Sequence, residues 1–284
     1  MNVRLFVQIL VWETVLERKN YSHVEAKPAA TVLLARDSDD GIEVFMVKRH
    51  HKIDFASGAM VFPGGKVDEA DADPALRAWC TGADDLNDFD FALQIAAVRE
   101  TFEECGVLLA RARGDKNLVG AKRLLELENW AEKLHGGEAT ILEFVEAENL
   151  ELALDELAYF AHWITPPLIP KRFDTHFYLV GAPADQIAVH DGSESVDSTW
   201  SKPEDVVKAA NADQVKLVFA TRLNLLKLGS FDDVPAAVAA TRKATVVTVQ
   251  PKLESLVDGV RTLRIPMDAG YGSDIFEITD KPAM

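Results

Sequence analysis

Residues 96–107 read AAVRETFEECGV and place Arg99, Glu100, Glu103 and Glu104 within one and a half turns of a helix. At about 100° per residue, Ile95, Val98 and Phe102 fall within an arc of roughly 60°, and the three glutamates fall opposite them within about 100°. Such a helix has one apolar face and one carboxylate face. Gly106 suits the left-handed residue just past its end, and Asp88 or Asp90 suits the cap at its start. A solvated face usually mixes signs, with Lys four residues after Glu. Here like charges stand at i, i+3 and i+4, and two of them lie near the C-terminus, where the helix dipole disfavours anions. Oxygen ligands on a rigid element suit a hard cation such as Mg2+ or Mn2+. Periodicity alone leaves a plain acidic face standing as the alternative.

Other side chains carry weaker signals. Arg49, within KRHHK (48–52), and the pair Lys171–Arg172 are basic clusters fit to grip phosphate, or simply solvated charge. His50 and His51 have no partner motif and read as surface or ligand contacts. His162 and His176 sit in strand-like runs and are expected to be packed or hydrogen-bonded. Cys105, beside the glutamates, reads as a plain position without redox work. Trp79, Trp130, Trp163 and Trp200 read as core or interface anchors, with Phe55 or Trp79 able to stack on an adenine.

The rest of the chain must position these groups. It has 284 residues, 48% of them apolar, so a sizeable core is available. Its 30 Lys and Arg stand against 46 Asp and Glu, for a net charge of −16. That balance argues against nucleic acid or an anionic membrane as partner, since both want a positive face. A small phosphorylated ligand is tolerated if a metal or a local basic cluster offsets the acid. Cys80 and Cys105 form no C-x-x-C pair, which fits a reduced, cytoplasmic chain. The apolar stretch Leu5 to Trp12 is too short to span a membrane and lacks a small-residue cleavage site, so it reads as a short amphipathic helix. A homodimer is left open.

The patterning predicts a hairpin from AATVLLAR (29–36) and EVFMVKRH (43–50), a strand AMVF (59–62) ending at the PGG turn, and an Asp-rich stretch to residue 90. The helix at 91–105 follows, then a strand at 106–111 and helical pattern from 117 to 157. Strands are expected at 158–166, 172–181 and 195–201, helices at 202–211 and 213–229, and two strand-like runs near the end. This is an interleaved α/β pattern.

Gly65, Asp71 and the run Arg99-Glu100-Thr101-Phe102-Glu103-Glu104-Cys105-Gly106-Val107 together resemble the Nudix box, G-x5-E-x7-R-E-U-x-E-E-x-G-U. Thr101 stands where the family has its first aliphatic residue, and Asp71 where it has its first Glu. Between Asp71 and Arg99 lie 27 residues where the family usually has seven. A split box after VFPGG is similar to the branch that includes the peroxisomal coenzyme A diphosphatases. Residues 48–71 and KRFDTHFYL (171–179) also resemble that branch.

The resemblance implies an α/β fold, a Nudix-type α/β/α sandwich with a mixed β-sheet and helical insertions. It implies a domain over 27–230, with an insert at 72–90 forming a surface excursion and a helical insert at 117–157. Residues 1–26 and 231–284 are then extensions. It implies a metal-dependent hydrolase of a nucleoside diphosphate linked to another moiety, using Mg2+ or Mn2+. Glu100 and Glu104 are then the first-choice metal ligands, Glu103 the third, and Arg99 their orienting cation, supported by Asp71. Gly64 and Gly65 allow the backbone to approach the site, and Glu194 is a candidate base. Arg49, Lys171 and Arg172 are expected to bind substrate phosphates, with Arg49 and Arg172 facing the same cleft as Glu104. Coenzyme A or an acyl-coenzyme A is the first substrate, with ADP-ribose or a nucleotide sugar as the alternative. A binding or regulatory module without turnover is the other reading, although such a module has no reason to keep three repelling glutamates.

Overall fold

The computed structural model describes residues 20–50, 56–189, 192 and 195–279. The described residues divide into a larger compact unit, within 28–162 and 175–247, and a smaller one from 20–27, 163–174 and 248–279. By contacts, residues 231–247 fall in the larger unit.

Strands β1 (Lys27–Ser38) and β2 (Gly41–Arg49) pair antiparallel from Ser38↔Gly41 to Ala35↔Val44, closing over Asp39-Asp40 with Gly41 at φ 113°. Beyond that the two strands part. Strand β3 (Ala59–Val61) pairs with β2 at Val47 and Lys48, and β4 (Gly64–Lys66) pairs with β1 at Ala29 to Thr31. The Phe62–Pro63 corner enters where they diverge, and the Val32 amide donates to the Pro63 carbonyl at 2.9 Å. This corner fixes the position of Gly64 and Gly65.

The next segment crosses a second sheet. Strand β5 (Cys80–Thr81) precedes helix α1 (Asp88–Cys105), which leads to β6 (Ala110–Ala112), α2 (Ala121–His135), α3 (Ile141–Glu148) and β7 (Leu150–Ala153). Strand β7 lies between β5, to which it is parallel, and β6, to which it is antiparallel. The chain then returns to the main sheet with β8 (Ala158–Ile164), β9 (Phe173–Gly181) and β10 (Ser195–Ser201). Helix α4 (Pro203–Asn211), β11 (Lys216–Leu217), α5 (Phe219–Leu228) and α6 (Val234–Lys243) complete the larger unit. The main sheet is mixed, in the order β11-β3-β2-β1-β9-β8, with β10 on the far edge of β2 and β11 parallel to β3.

Alternate residues of a strand face opposite sides. Val32, Leu34, Phe45, Val47, Tyr178 and Val180 share one apolar cluster with Ile95, Val98 and Phe102 of α1. The intervening Leu33, Val44, Met46 and Leu179 are buried too, so the strands are covered on both faces. On α5, Leu223, Leu225 and Leu228 are buried, and Lys227 donates to the Phe160 carbonyl of β8 at 3.0 Å. This is the expected α/β class, helices on a mixed sheet. Phe102 stacks on Phe144 of α3 at 5.4 Å, and Trp130 of α2 lies 5.3 Å from the same ring.

Several local expectations are corrected. Helix α1 begins at Asp88, capped by Asn87, whose side chain accepts from the Asp90 amide; neither Asp88 nor Asp90 is the cap. Residues 117–157 are not helical throughout, because Asn149 at φ 52° ends α3 and Leu150–Ala153 turn into the middle strand of the second sheet. The strand expected at 106–111 is confined to 110–112. The helix expected from 213 starts at Phe219, after a parallel pairing of Lys216 and Leu217. Helix α6 was not foreseen, although Asp233 caps it and Pro235 sits in its first turn. The insert at 72–90 is not a surface excursion alone: Leu76 is fully buried and Ala83 nearly so.

The smaller unit holds β12 (Thr248–Val249) and a meander of β13 (Lys252–Val257), β14 (Val260–Arg264) and β15 (Ile275–Thr279). Asp258 and Gly259, both at positive φ, make the tight β13–β14 turn that matches strand twist. Among the described residues no helix is long and apolar enough to cross a membrane.

Candidate active site

Arg99 lies in the last half of α1 and is 6% exposed. Its Nε and Nη2 donate to the two carboxylate oxygens of Asp71, both at 2.8 Å. This side-on pairing is the strongest geometry open to a guanidinium. Nη2 also donates to the Lys66 carbonyl at 2.9 Å, and Nη1 to Glu100 Oε1 at 3.0 Å and Glu103 Oε1 at 3.2 Å. Asp71 is fully buried in the 3-10 turn Glu69–Ala72, where its Oδ2 accepts the Asp68 amide at 2.8 Å. One guanidinium thus joins β4, the turn after it and α1. The structure brings Asp71 and Arg99 together across the insert.

The two glycines serve different ends. The Gly64 amide donates to Glu104 Oε2 at 2.8 Å. Gly64 itself stands at φ 147°, and a Cβ there would lie 2.3 Å from the Ala30 carbonyl oxygen. At Gly65 a Cβ would lie 2.3 Å from Glu100 Oε1. The backbone of β4 therefore packs directly against the carboxylates.

The acidic side of α1 is not a solvated face. Glu103 is 9% exposed and Glu104 4%. Burial, opposed chiefly by Arg99, pushes the Glu100 carboxyl up to about 7. Burial also raises Glu103, again against the pull of Arg99. For Arg99, burial works against the charge, but the Asp71 bonds and the surrounding carboxylates outweigh it and hold the guanidinium above its ordinary range. Four carboxylates, Asp68, Asp71, Glu100 and Glu103, lie within 4 Å of this one guanidinium, and the Gly64 amide holds Glu104 beside them. Crowded oxygen donors, turned by Arg99 and the Gly64 amide in a partly dry setting, fit a hard divalent cation. His135, at the end of α2, places Nδ1 3.8 Å from Glu103 Oε2. The sequence reading passed over it, because a helix-terminal histidine 32 residues after the glutamate carries no local signal.

The remaining candidates fall in both units. Arg49 ends β2 opposite Ser195 of β10. Lys171 is exposed in the smaller unit. Arg172, also there, donates Nε to the Thr165 carbonyl at 3.0 Å and Nη1 to the Val24 carbonyl at 2.7 Å, so much of its donor capacity goes to backbone. Glu194, His51 and Phe55 lie outside the described residues. Trp79 carries Arg113 over its ring at 4.2 Å. His162 and His176 stack at 4.1 Å, and the His176 ring nitrogen meets the Tyr159 hydroxyl at 2.8 Å. Cys105 is buried, with its thiol donating to the Thr101 carbonyl at 2.9 Å.

Comparison with known proteins points to one family. The family model described as the NUDT19 Nudix domain matches residues 81–221. A curated relative from Caenorhabditis elegans, "Putative nudix hydrolase 7", is 29% identical over 73% of this chain and 62% of its own length. The Homo sapiens "Acyl-coenzyme A diphosphatase NUDT19" is 27% identical over 63% of this chain and 58% of its own. The chain thus spans about three-fifths of the curated relatives it matches. The crystal structure of a Nudix hydrolase from Alicyclobacillus acidocaldarius superposes with a TM-score of 0.66 at 28% identity, covering 76% of this chain and 96% of that one.

Proposed function

The chain belongs to the Nudix hydrolase family, and from that premise we propose that it is a divalent-metal diphosphatase acting on coenzyme A or an acyl-coenzyme A. The products are 3′,5′-ADP and phosphopantetheine or its acylated form. The observation that supports this most directly is the guanidinium lock, in which Arg99 binds Asp71 across the insert while turning Glu100 and Glu103 toward one place.

Mg2+ or Mn2+ is the cation we assign to this site. When bound, it stabilises charge on phosphoryl oxygens and lowers the pKa of a water molecule. The chain supplies the rest. Glu100 and Glu104 hold the cation, and Glu103 is the third carboxylate. Arg99 fixes their directions and offsets part of their repulsion. The Gly64 amide holds one oxygen of Glu104, so that the carboxylate cannot rotate freely. The missing side chain of Gly65 leaves room for Glu100 against β4. The substrate assignment draws on the name of the human relative and on the split box. Coenzyme A carries a 3′-phosphate besides its diphosphate, and in an acidic protein that group calls for a local cation. Arg49, in the same unit as the carboxylates, is the candidate, Arg172 being largely committed to carbonyls.

The test is a panel of coenzyme A, acetyl-coenzyme A, dephospho-coenzyme A, ADP-ribose and a nucleotide sugar, incubated with Mg2+ or Mn2+, with products identified by mass. We expect 3′,5′-ADP from coenzyme A and loss of turnover in Glu104→Gln, which keeps shape and removes charge. Turnover of ADP-ribose or the sugar alone would discard the coenzyme A reading and keep the diphosphatase. No turnover of any compound with either metal would favour the binding module.

A further inference from the structure

Glu103 sits among like charges and is 5% exposed at its side chain. Its Oε1 accepts from Arg99 Nη1 at 3.2 Å, and its Oε2 faces His135 Nδ1 at 3.8 Å. The imidazole is 40% exposed, so it borders the carboxylate on one side and solvent on the other. It arrives from α2, an element outside the box, and it is the last residue of that helix. Gly136 and Gly137 follow, Gly137 at φ 69°, and end the helix sharply. Trp130, one and a half turns earlier, packs on Phe144 and donates to Glu148 at 2.8 Å, which ties α2 to α3. The end of α2 is therefore anchored, and the backbone that carries His135 is held beside Glu103.

We propose that His135 is a positioning residue for the metal site, acting through Glu103. A glutamate repelled by Glu100 and Glu104 relieves that repulsion by rotating outward. Arg99 holds one of its oxygens. His135 bounds the other and closes the outward path, so Glu103 stays turned toward the shared site. At 3.8 Å the contact is not a hydrogen bond, so the role needs a side chain of similar reach that fills that place, which glutamine supplies and alanine does not. The helical insertion would then be a working part of the site, and not only an elaboration of the fold. This inference rests on the reading of the carboxylates as metal ligands.

The experiment uses the full chain with metal stripped off, His135→Ala and His135→Gln. Mn2+ is titrated in and the free ion read by electron paramagnetic resonance, a measurement that needs no substrate. We expect His135→Ala to bind Mn2+ more weakly, on the order of tenfold, as for other groups that orient metal ligands. His135→Gln should recover most of that loss. With coenzyme A as substrate, kcat should fall and KM should barely move, while thermal stability without metal stays within a degree or two of wild type. Unchanged or tighter Mn2+ binding in His135→Ala would overturn the inference. So would a raised KM at unchanged kcat, which would make His135 a substrate contact. Failure of the wild-type protein to bind Mn2+ at all would sink the metal reading itself, which separates the two.

Discussion

Glu100 has a carboxyl titrating at about 7 in the fold against an ordinary 4.5, because burial penalises its charge more than Arg99 relieves it. The folded, metal-free protein therefore binds this proton more tightly than the unfolded chain. The stability it lends is fully present below pH 4.5 and is lost as pH rises through 7. A divalent cation takes the place of that proton. The rise in melting temperature caused by Mg2+ should accordingly be small at pH 5 and grow by several degrees toward pH 8. Glu100→Gln should flatten the metal-free profile, and a shift that is equal at both pH values would contradict the assignment. The glycines give a second residue-scale test. Gly65→Ala meets the tip of a side chain that can move, so the protein should fold while Glu100 is displaced and activity drops tenfold or more. Gly64→Ala meets backbone at a φ that favours glycine, and should cost roughly 1–3 kcal/mol of stability. Thermal melts beside kcat distinguish the two.

At the scale of elements, α1 was legible because its apolar spacing is regular and its end is marked by Gly106, at φ 65°. Its surroundings were not. Periodicity suggested one wet face, yet the α2–α3 insertion and β4 enclose the glutamates, and burial of that kind is decided by segments distant in sequence. Leu150–Ala153 read as helix because Glu and Leu are good helix formers. The left-handed Asn149 and a slot between β5 and β6 override that preference. The Asp71–Arg99 link was reachable only through the motif, since nothing in 27 intervening residues announces that they return the chain to its starting point. That link joins an element before the insert to one after it. Asp71→Asn leaves Arg99 buried with less compensation, and should destabilise by roughly 3 kcal/mol. Glu100 and Glu103, which share the guanidinium, soften the loss. Urea melts measure it. A change under about 0.5 kcal/mol would mean that the pair is not structural.

At the scale of the whole molecule, a net charge of −16 sets the problem that any polyphosphate binder of this composition must solve with local cations. The sequence offered Arg49, Lys171 and Arg172, with Arg49 and Arg172 preferred, but composition cannot show where a guanidinium points. The structure separates them. Arg172 satisfies two backbone carbonyls within the smaller unit, linking the segment before β1 to the one between β8 and β9. Arg49 closes β2 in the larger unit, beside β10 and next to β3, the strand whose end leads to Gly64 and Gly65. The two should therefore respond differently to truncation. Arg172→Ala orphans two carbonyls, each costing about 1–3 kcal/mol where buried, and should speed limited proteolysis around residues 20–27 and 163–174. Its effects on coenzyme A and dephospho-coenzyme A should be equal. Arg49→Ala should raise KM for coenzyme A by about tenfold, the worth of one charge-assisted phosphate bond. Dephospho-coenzyme A, which lacks the 3′-phosphate, should be affected much less. Equal losses for both compounds in Arg49→Ala would move that contact to the diphosphate. A selective loss in Arg172→Ala would return the 3′-phosphate to the smaller unit.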